Sequence, residues 1–290
     1  MHSTTFKKQL FGRSSNMGKI IWIASFPKSG NTWMRAFLAN YILDRAEAFP
    51  INQLGSFSLS DTRPRFFQEA AGKPVEQLSQ NDTISLRNEA QKLIANFKEH
   101  DHFVKTHSQY GIFNKCPLIN AQVTKGAIYL VRNPLDLVIS YSAHLGVSIN
   151  EAINTMGEVR NSTTEQDSNV LTIIGRWSEH VNSWLNNEDV PRVLVRYEDL
   201  IKSPYVQFRK TLNALGINVN EDRLRRAIEF SSFSELADQE LKGGFRERPP
   251  HAERFFRKGT VDQWDQTLTN KQIRKLEDMH GLVMKKLGYI

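Results

Sequence analysis

An α/β fold, with a central and mostly parallel sheet flanked by helices, is what this 290-residue sequence predicts. Three observations lead there. Short β-branched and aromatic runs at 20–24, 102–106, 127–131 and 192–196 alternate with segments of helical periodicity. The segments between them are long enough for helical crossovers, which join parallel strands. Finally, Lys28, His107, Arg132 and Tyr197 each follow one of these runs closely. Ligands of open α/β sheets bind outside the carboxyl ends of the strands, so these four residues are expected to converge on one crevice.

The first run, Ile20-Ile-Trp-Ile-Ala24, passes through Ser25-Phe-Pro-Lys-Ser-Gly30 into an apolar helical pattern at 34–43. A strand entering a helix through such a turn presents free N–H groups at the positive end of the helix dipole, an anion site. Lys28 adds a cation, and Ser29 and Thr32 add hydroxyls. Residues 46–100 are polar and carry Pro50, Pro64 and Pro74; they read as an irregular, substrate-facing insertion, with a loop at 55–61 and a helix at 83–98 capped by Asp82. In that helix Leu86, Leu93, Ile94 and Phe97 share a face. After the third run, Asn133 suits a helix N-cap and Pro134 the first helical position. A Ser/Thr/Asn-rich loop at 160–169 precedes a helix expected at 170–186, with Ile173, Ile174, Trp177, Val181 and Trp184 as its stripe. Helices are expected at 204–215, stopped by Gly216, at 221–230 and at 270–287, and an ordered or lid-like loop at 242–261.

Residues 1–18 read as a flexible basic leader without a secretory h-region, and 19–290 as a single domain. The only cysteine, Cys116, excludes an internal disulfide framework and suits a reducing, cytoplasmic setting. No apolar run is long enough to span a bilayer. The net charge of +7 invites a nucleic-acid reading, but the cations are scattered and do not interleave with aromatics. A multiply charged small anion accounts for them equally well, and no nucleic-acid partner is expected.

Pro27-Lys-Ser-Gly-Asn-Thr-Trp33 lacks the G-x-x-x-x-G-K-[ST] pattern. It resembles instead the 5′-phosphosulfate loop of the sulfotransferases that use 3′-phosphoadenosine 5′-phosphosulfate (PAPS), a P-loop-like nucleotide-binding architecture. The resemblance continues in family order through Val104-Lys-Thr-His107, the segment from Tyr129 to Tyr141, Tyr197-Glu-Asp199, Ser231-Ser-Phe233, and Phe256-Arg-Lys-Gly259 with Trp264 downstream. The resemblance implies that His107 takes the proton of the acceptor and that Lys28 meets the bridging oxygen, where charge grows as the S–O bond breaks. Ser29, Gly30, Asn31, Thr32 and Trp33 would hold the 5′-phosphate. Arg132 and Ser140 would bind the 3′-phosphate, with Ser140 grouped beside Lys28 and His107 near the chemistry. Arg257, Lys258 and Gly259 would complete that site, while Trp33, Phe233, Tyr197 and Ser231 would surround the adenine. No metal is implied, and the product would be adenosine 3′,5′-bisphosphate. The acceptor would be a hydroxyl or amine of a small molecule or glycan.

Each residue also has a plainer role: Lys28 as a solvated lysine, Arg132 in an ion pair with Asp136, Ser140 bonded back to its helix, and the aromatics as core. Phe57, Phe66, Phe67, Phe113, His144, Leu145 and Phe245 stand as pocket or core residues alike. Asn31 replaces a common Thr, and Asp262-Gln263-Trp264 keeps only the Trp of the family's continuation. Asp265, Asn270 and Arg274 depart from the family's dimerisation segment, so its dimer is not transferred and the oligomeric state stays open. These differences resemble a bacterial member more than an animal one. The competing readings are a P-loop-type small-molecule kinase using ATP and Mg²⁺, and a non-catalytic nucleotide- or nucleic-acid-binding protein.

Overall fold

The computed structural model describes residues 19–164 and 170–290. The expected leader at 1–18 and the second half of the 160–169 loop lie outside the described residues. Five parallel strands form the main sheet, numbered here along the chain: β1 (Ile20–Ser25), β2 (Leu59–Ser60), β3 (His102–Thr106), β4 (Thr124–Val131) and β5 (Arg192–Arg196). Their order across the sheet is β2-β3-β1-β4-β5. Every residue of β1 is buried, because helices cover both faces of the sheet.

Alternation along the strands divides the core. Ile20, Trp22, Ala24, Val104, Tyr129 and Val131 pack into one layer with Trp177 and Trp184. Ile21, Ile23, Ile128, Leu130 and Val195 pack into the other with Phe37, Phe208 and Leu212. Each such side chain contributes about 1.5–3 kcal/mol by leaving water. Register then fixes the geometry of the upper edge: Ala24 pairs with Thr106, Ser25 with Leu130, and Val131 with Arg196. The strand ends are therefore level, and the residues that follow them emerge side by side. After β1 the chain builds one side of the sheet, and with β4 it crosses to the other, so a crevice opens above the carboxyl end of β1.

Several expected elements change. The helix foreseen at 83–98 is two, Gln80–Ser85 and Arg87–Asn96. Ser79 is the N-cap and Asp82 its capping-box partner, while Phe97 lies beyond the second helix and is 46% exposed. The loop foreseen at 55–61 holds the Leu54–Phe57 helix and β2, drawn into the sheet by pairing of Leu59 with Val104. The helix foreseen at 170–186 begins only at Trp177. Leu171–Ile173 is a strand paired with Ser162–Thr164, and Gly175 at φ +71° turns the chain between strand and helix. The sequence expectations do not include the helices Pro64–Ala71, opened by Pro64, and Phe233–Gly243, capped by Ser232; the second takes the first two residues of the expected lid-like loop. Asn133 and Pro134 do open the helix Pro134–Leu145, and Gly216 at φ +74° follows Pro204–Ala214.

Candidate active site

A cleft of about 770 Å³ lies above β1, lined by the turn after that strand, by Lys105 and His107 of β3 and its exit, by Arg132, Ser140 and His144, and by the strap at 246–259. The turn is strained in the way an anion loop requires. Lys28 sits at φ +67° and Gly30 at φ +99°. A Cβ at Gly30 would stand 2.9 Å from the Tyr197 ring, so close approach as well as dihedral demands glycine. No side chain caps the helix Asn31–Leu43, which leaves its first-turn amides directed outward for a ligand. Beneath the turn the Ser29 hydroxyl is buried and without a hydrogen-bond partner among the described residues.

Two arginines and a lysine surround this turn. Arg132 is buried, donates through one nitrogen to the Lys28 carbonyl at 3.3 Å and through another to Thr260, and lies 4.3 Å from the centroid of the Tyr197 ring. Its Nε has no partner, and among the described residues it makes no ion pair. The alternative pairing with Asp136 does not form, because Asp136 accepts the backbone N–H groups of Asp262 and Trp264 at 2.6 and 3.1 Å. Arg257 reaches the cleft while donating to the Ile139 carbonyl at 3.1 Å. Burial, then Arg132 and Arg257, push the Lys28 ammonium down to about 7. Its Nζ lies 3.7 Å from the Phe255 centroid. Such cations, packed with little compensating charge, suit a polyanion.

His107 faces the same space. Its Nδ1 lies 2.8 Å from the Ser25 carbonyl. A carbonyl can only accept, so Nδ1 carries the proton and Nε2 is the basic nitrogen of the neutral ring. Asn31 uses its amide to brace the same strand end, donating to Ile23 at 2.9 Å and to the Ser25 hydroxyl at 3.3 Å.

Of the residues singled out from the sequence, Lys28, Gly30, Asn31, Thr32, Trp33, His107, Arg132, Ser140, Tyr197, Phe233, Arg257, Lys258 and Gly259 all line this cleft. Ser29 lies buried beneath it. Ser231 does not reach it: the hydroxyl is buried and donates to the Ala227 carbonyl at 2.7 Å, and Ser232 takes the lining position. Gly259, at φ +64°, presses on the Phe233 ring, which a Cβ there would meet at 2.2 Å. Among the ambiguous pocket candidates, His144 and Leu145 line the cleft, whereas Phe66, Phe67 and Phe245 are core. Burial, then the neighbouring Lys28, push His144 down to about 3, keeping it neutral.

The sequence reading passed over Lys105, Glu240 and Glu247. Lys105 precedes His107 by two and so shares its side of the strand, a signal that alternation offers. The two glutamates had none. Glu240 is buried and accepts the N–H groups of Phe255 and Phe256 at 2.7 and 2.9 Å. Glu247 binds the buried Arg35 at 2.8 Å and lies 3.7 Å from Lys105. Together they fasten the strap over the cleft. Among the described residues no cluster of three or more His, Cys, Asp or Glu is placed to hold a metal ion, and no helix is long and apolar enough to cross a membrane.

A parallel sheet whose first strand turns through Lys28 and Gly30 into an uncapped helix at its carboxyl edge is a P-loop-like α/β architecture. More narrowly, the family model described as "Sulfotransferase domain" matches residues 19–288, and the chain belongs to that family; it is a sulfotransferase. The flavonol 3-sulfotransferase of Flaveria bidentis is 24% identical over 280 residues, 92% of this chain and 81% of that enzyme. The 3-alpha-hydroxysteroid sulfotransferase of Cavia porcellus is 31% identical over 169 residues, 56% of each chain. Retinol dehydratase, solved with androsterone and inactive cofactor PAP, shares the fold at a TM-score of 0.62 and 17% identity, over 92% of this chain and 80% of that one. A mouse sulfotransferase solved with PAP aligns at 0.58 and 21%, over 92% and 85%.

Proposed function

We propose that this sulfotransferase uses PAPS and that its acceptor is a small molecule or glycan carrying a hydroxyl or amine. The observation that carries the reading is the juxtaposition of a basic His107 Nε2, set by the Ser25 carbonyl, with the Lys28 turn in one cleft. The fit to PAPS rests on the unpartnered Ser29 hydroxyl and Arg132 Nε, on the first-turn amides behind Gly30, and on Lys28 pushed down to about 7 by burial and then by two neighbouring guanidinium groups. The relatives and PAP-bound neighbours support the same reading.

When bound, PAPS supplies the sulfuryl group and an adenosine 3′,5′-bisphosphate leaving group. Lys28 and the amides of Gly30 to Trp33 hold the 5′-phosphate end, and Lys28 stabilises the charge that grows on its bridging oxygen. Arg132, Ser140, Arg257 and Lys258 hold the 3′-phosphate end, and Trp33, Phe233 and Tyr197 border the base. His107 Nε2 accepts the acceptor proton as the acceptor's lone pair attacks, and passes it to solvent afterwards. The strap fastened by Glu240 and Glu247 limits the access of water.

His107→Ala tests the assignment. Turnover with PAPS is expected to fall by on the order of a hundredfold or more, while adenosine 3′,5′-bisphosphate still binds. Full turnover in His107→Ala would refute the base. Activity with ATP that is lost to a chelator would favour the kinase alternative, and tight salt-sensitive polynucleotide binding the non-catalytic one.

A further inference from the structure

Three wholly buried rings lie behind His107. His180 and Trp184 stand four residues apart on the helix Trp177–Asn186 and so project from one face of it. Their ring nitrogens meet consecutive carbonyls of the segment leaving β3: His180 Nε2 is 3.2 Å from the His107 oxygen, and Trp184 Nε1 donates to the Ser108 oxygen at 3.0 Å. Tyr129, from β4 on the other side of β1, stacks on both rings at centroid separations of 5.7 and 5.8 Å. Its hydroxyl is 2.8 Å from His180 Nδ1.

The chemistry of these atoms fixes the direction of every bond. The His107 carbonyl can only accept, so His180 Nε2 is protonated. Burial pushes the imidazole down to about 3, so the ring is neutral and Nδ1 is an acceptor. Burial also holds the Tyr129 phenol protonated, so it donates to Nδ1 and locks the tautomer. Phe26, at the start of the turn that carries Lys28, meets the His180 ring edge-on at 5.6 Å. One buried ring thus touches both the exit of β3 and the entrance of the anion loop.

We infer that His180 and Trp184, backed by Tyr129, form a two-donor clamp that positions His107 for proton abstraction. The side chain of His107 is oriented by Ser25 and its main chain by the clamp, so both the position and the ring rotation of the base are set from the buried side. His180 and Trp184 are positioning residues; they reach the acceptor only through His107. The inference rests on His107 being the base.

His180→Phe keeps the ring packing and removes the donor, whereas His180→Gln places an N–H at the reach of Nε2. His180→Phe is expected to lower kcat on the order of tenfold, with adenosine 3′,5′-bisphosphate affinity within about twofold of the parent and KM for PAPS little changed. His180→Gln is expected to recover most of the rate. In a His107→Ala background, His180→Phe should change residual single-turnover rates by less than about twofold, because there is no base left to position. Unchanged kcat in His180→Phe, or an equal fractional loss in both backgrounds, overturns the clamp. If His180→Phe does not fold, Trp184→Phe is read in the same two backgrounds with the same criteria. Full turnover in His107→Ala overturns the base itself; an inactive His107→Ala beside a fully active His180→Phe overturns only the clamp.

Discussion

Binding of adenosine 3′,5′-bisphosphate should take up a proton at Lys28. In the free protein the ammonium is pushed down to about 7 by burial and by Arg132 and Arg257. A bound polyanion supplies the missing opposite charge and raises it again. At about pH 8, one unit above the free value, about nine-tenths of the molecules hold Lys28 neutral and must protonate it on binding; at about pH 7 the uptake is about one-half, and at about pH 6 about one-tenth. The direction follows from linkage: the complex holds the extra proton, so affinity falls as pH rises, by about tenfold at pH 8 relative to the acid limit. At pH 8 the phosphates of the ligand are already ionised, with second ionisations near 6, and contribute little. Titration calorimetry of adenosine 3′,5′-bisphosphate in buffers of differing ionisation enthalpy reads the uptake from the slope. A zero slope at pH 8, or one that persists in Lys28→Met, would refute the reasoning.

Other outcomes follow from the same site. Gly30→Ala forces a side chain to φ +99° and against Tyr197, costing about 2–4 kcal/mol and displacing the ring that supports Arg132; the melting temperature and bisphosphate affinity should fall together. Glu247→Ala leaves the buried Arg35 without its carboxylate, at a cost on the order of 3 kcal/mol, and should expose the 246–256 strap to limited proteolysis. Glu247 is held down to about 2 mainly against burial by Lys105 and Arg35, so the stability it contributes is present above about 4.5 and is lost as pH falls towards 2. His180 acts over a higher window: the unfolded chain takes its proton near 6.5 and the folded chain refuses it until about 3, so stability declines as pH falls through that interval, and His180→Gln should flatten the decline in acid melts.

Much of the fold was legible because the signals were local. The four long strands announced themselves by composition, and the Asn133–Pro134 helix start by capping chemistry. Where local signals competed, reading failed. Ile173 and Ile174 fit a helical stripe, but Gly175 and pairing with Ser162–Thr164 make that segment extended. Asp82 looked like a cap, yet Ser79 three residues earlier takes the role. Leu59 lacked the length of a recognisable strand and joined the sheet only because Val104 lay beside it.

By itself, the sequence determined that a turn carrying Lys28 and Gly30 follows the first strand and that His107 and Arg132 follow others, since dihedral demand, strand periodicity and charge are properties of neighbouring residues. Tertiary structure alone decided the rest. Level strand ends brought those residues to one cleft; Asp136 was claimed by the late loop rather than by Arg132; Ser231 turned inward; and two glutamates became fasteners of a strap. The physical reason is that a hydrogen bond between residues far apart in the chain depends on which groups packing brings within 3 Å, and no local pattern encodes that distance.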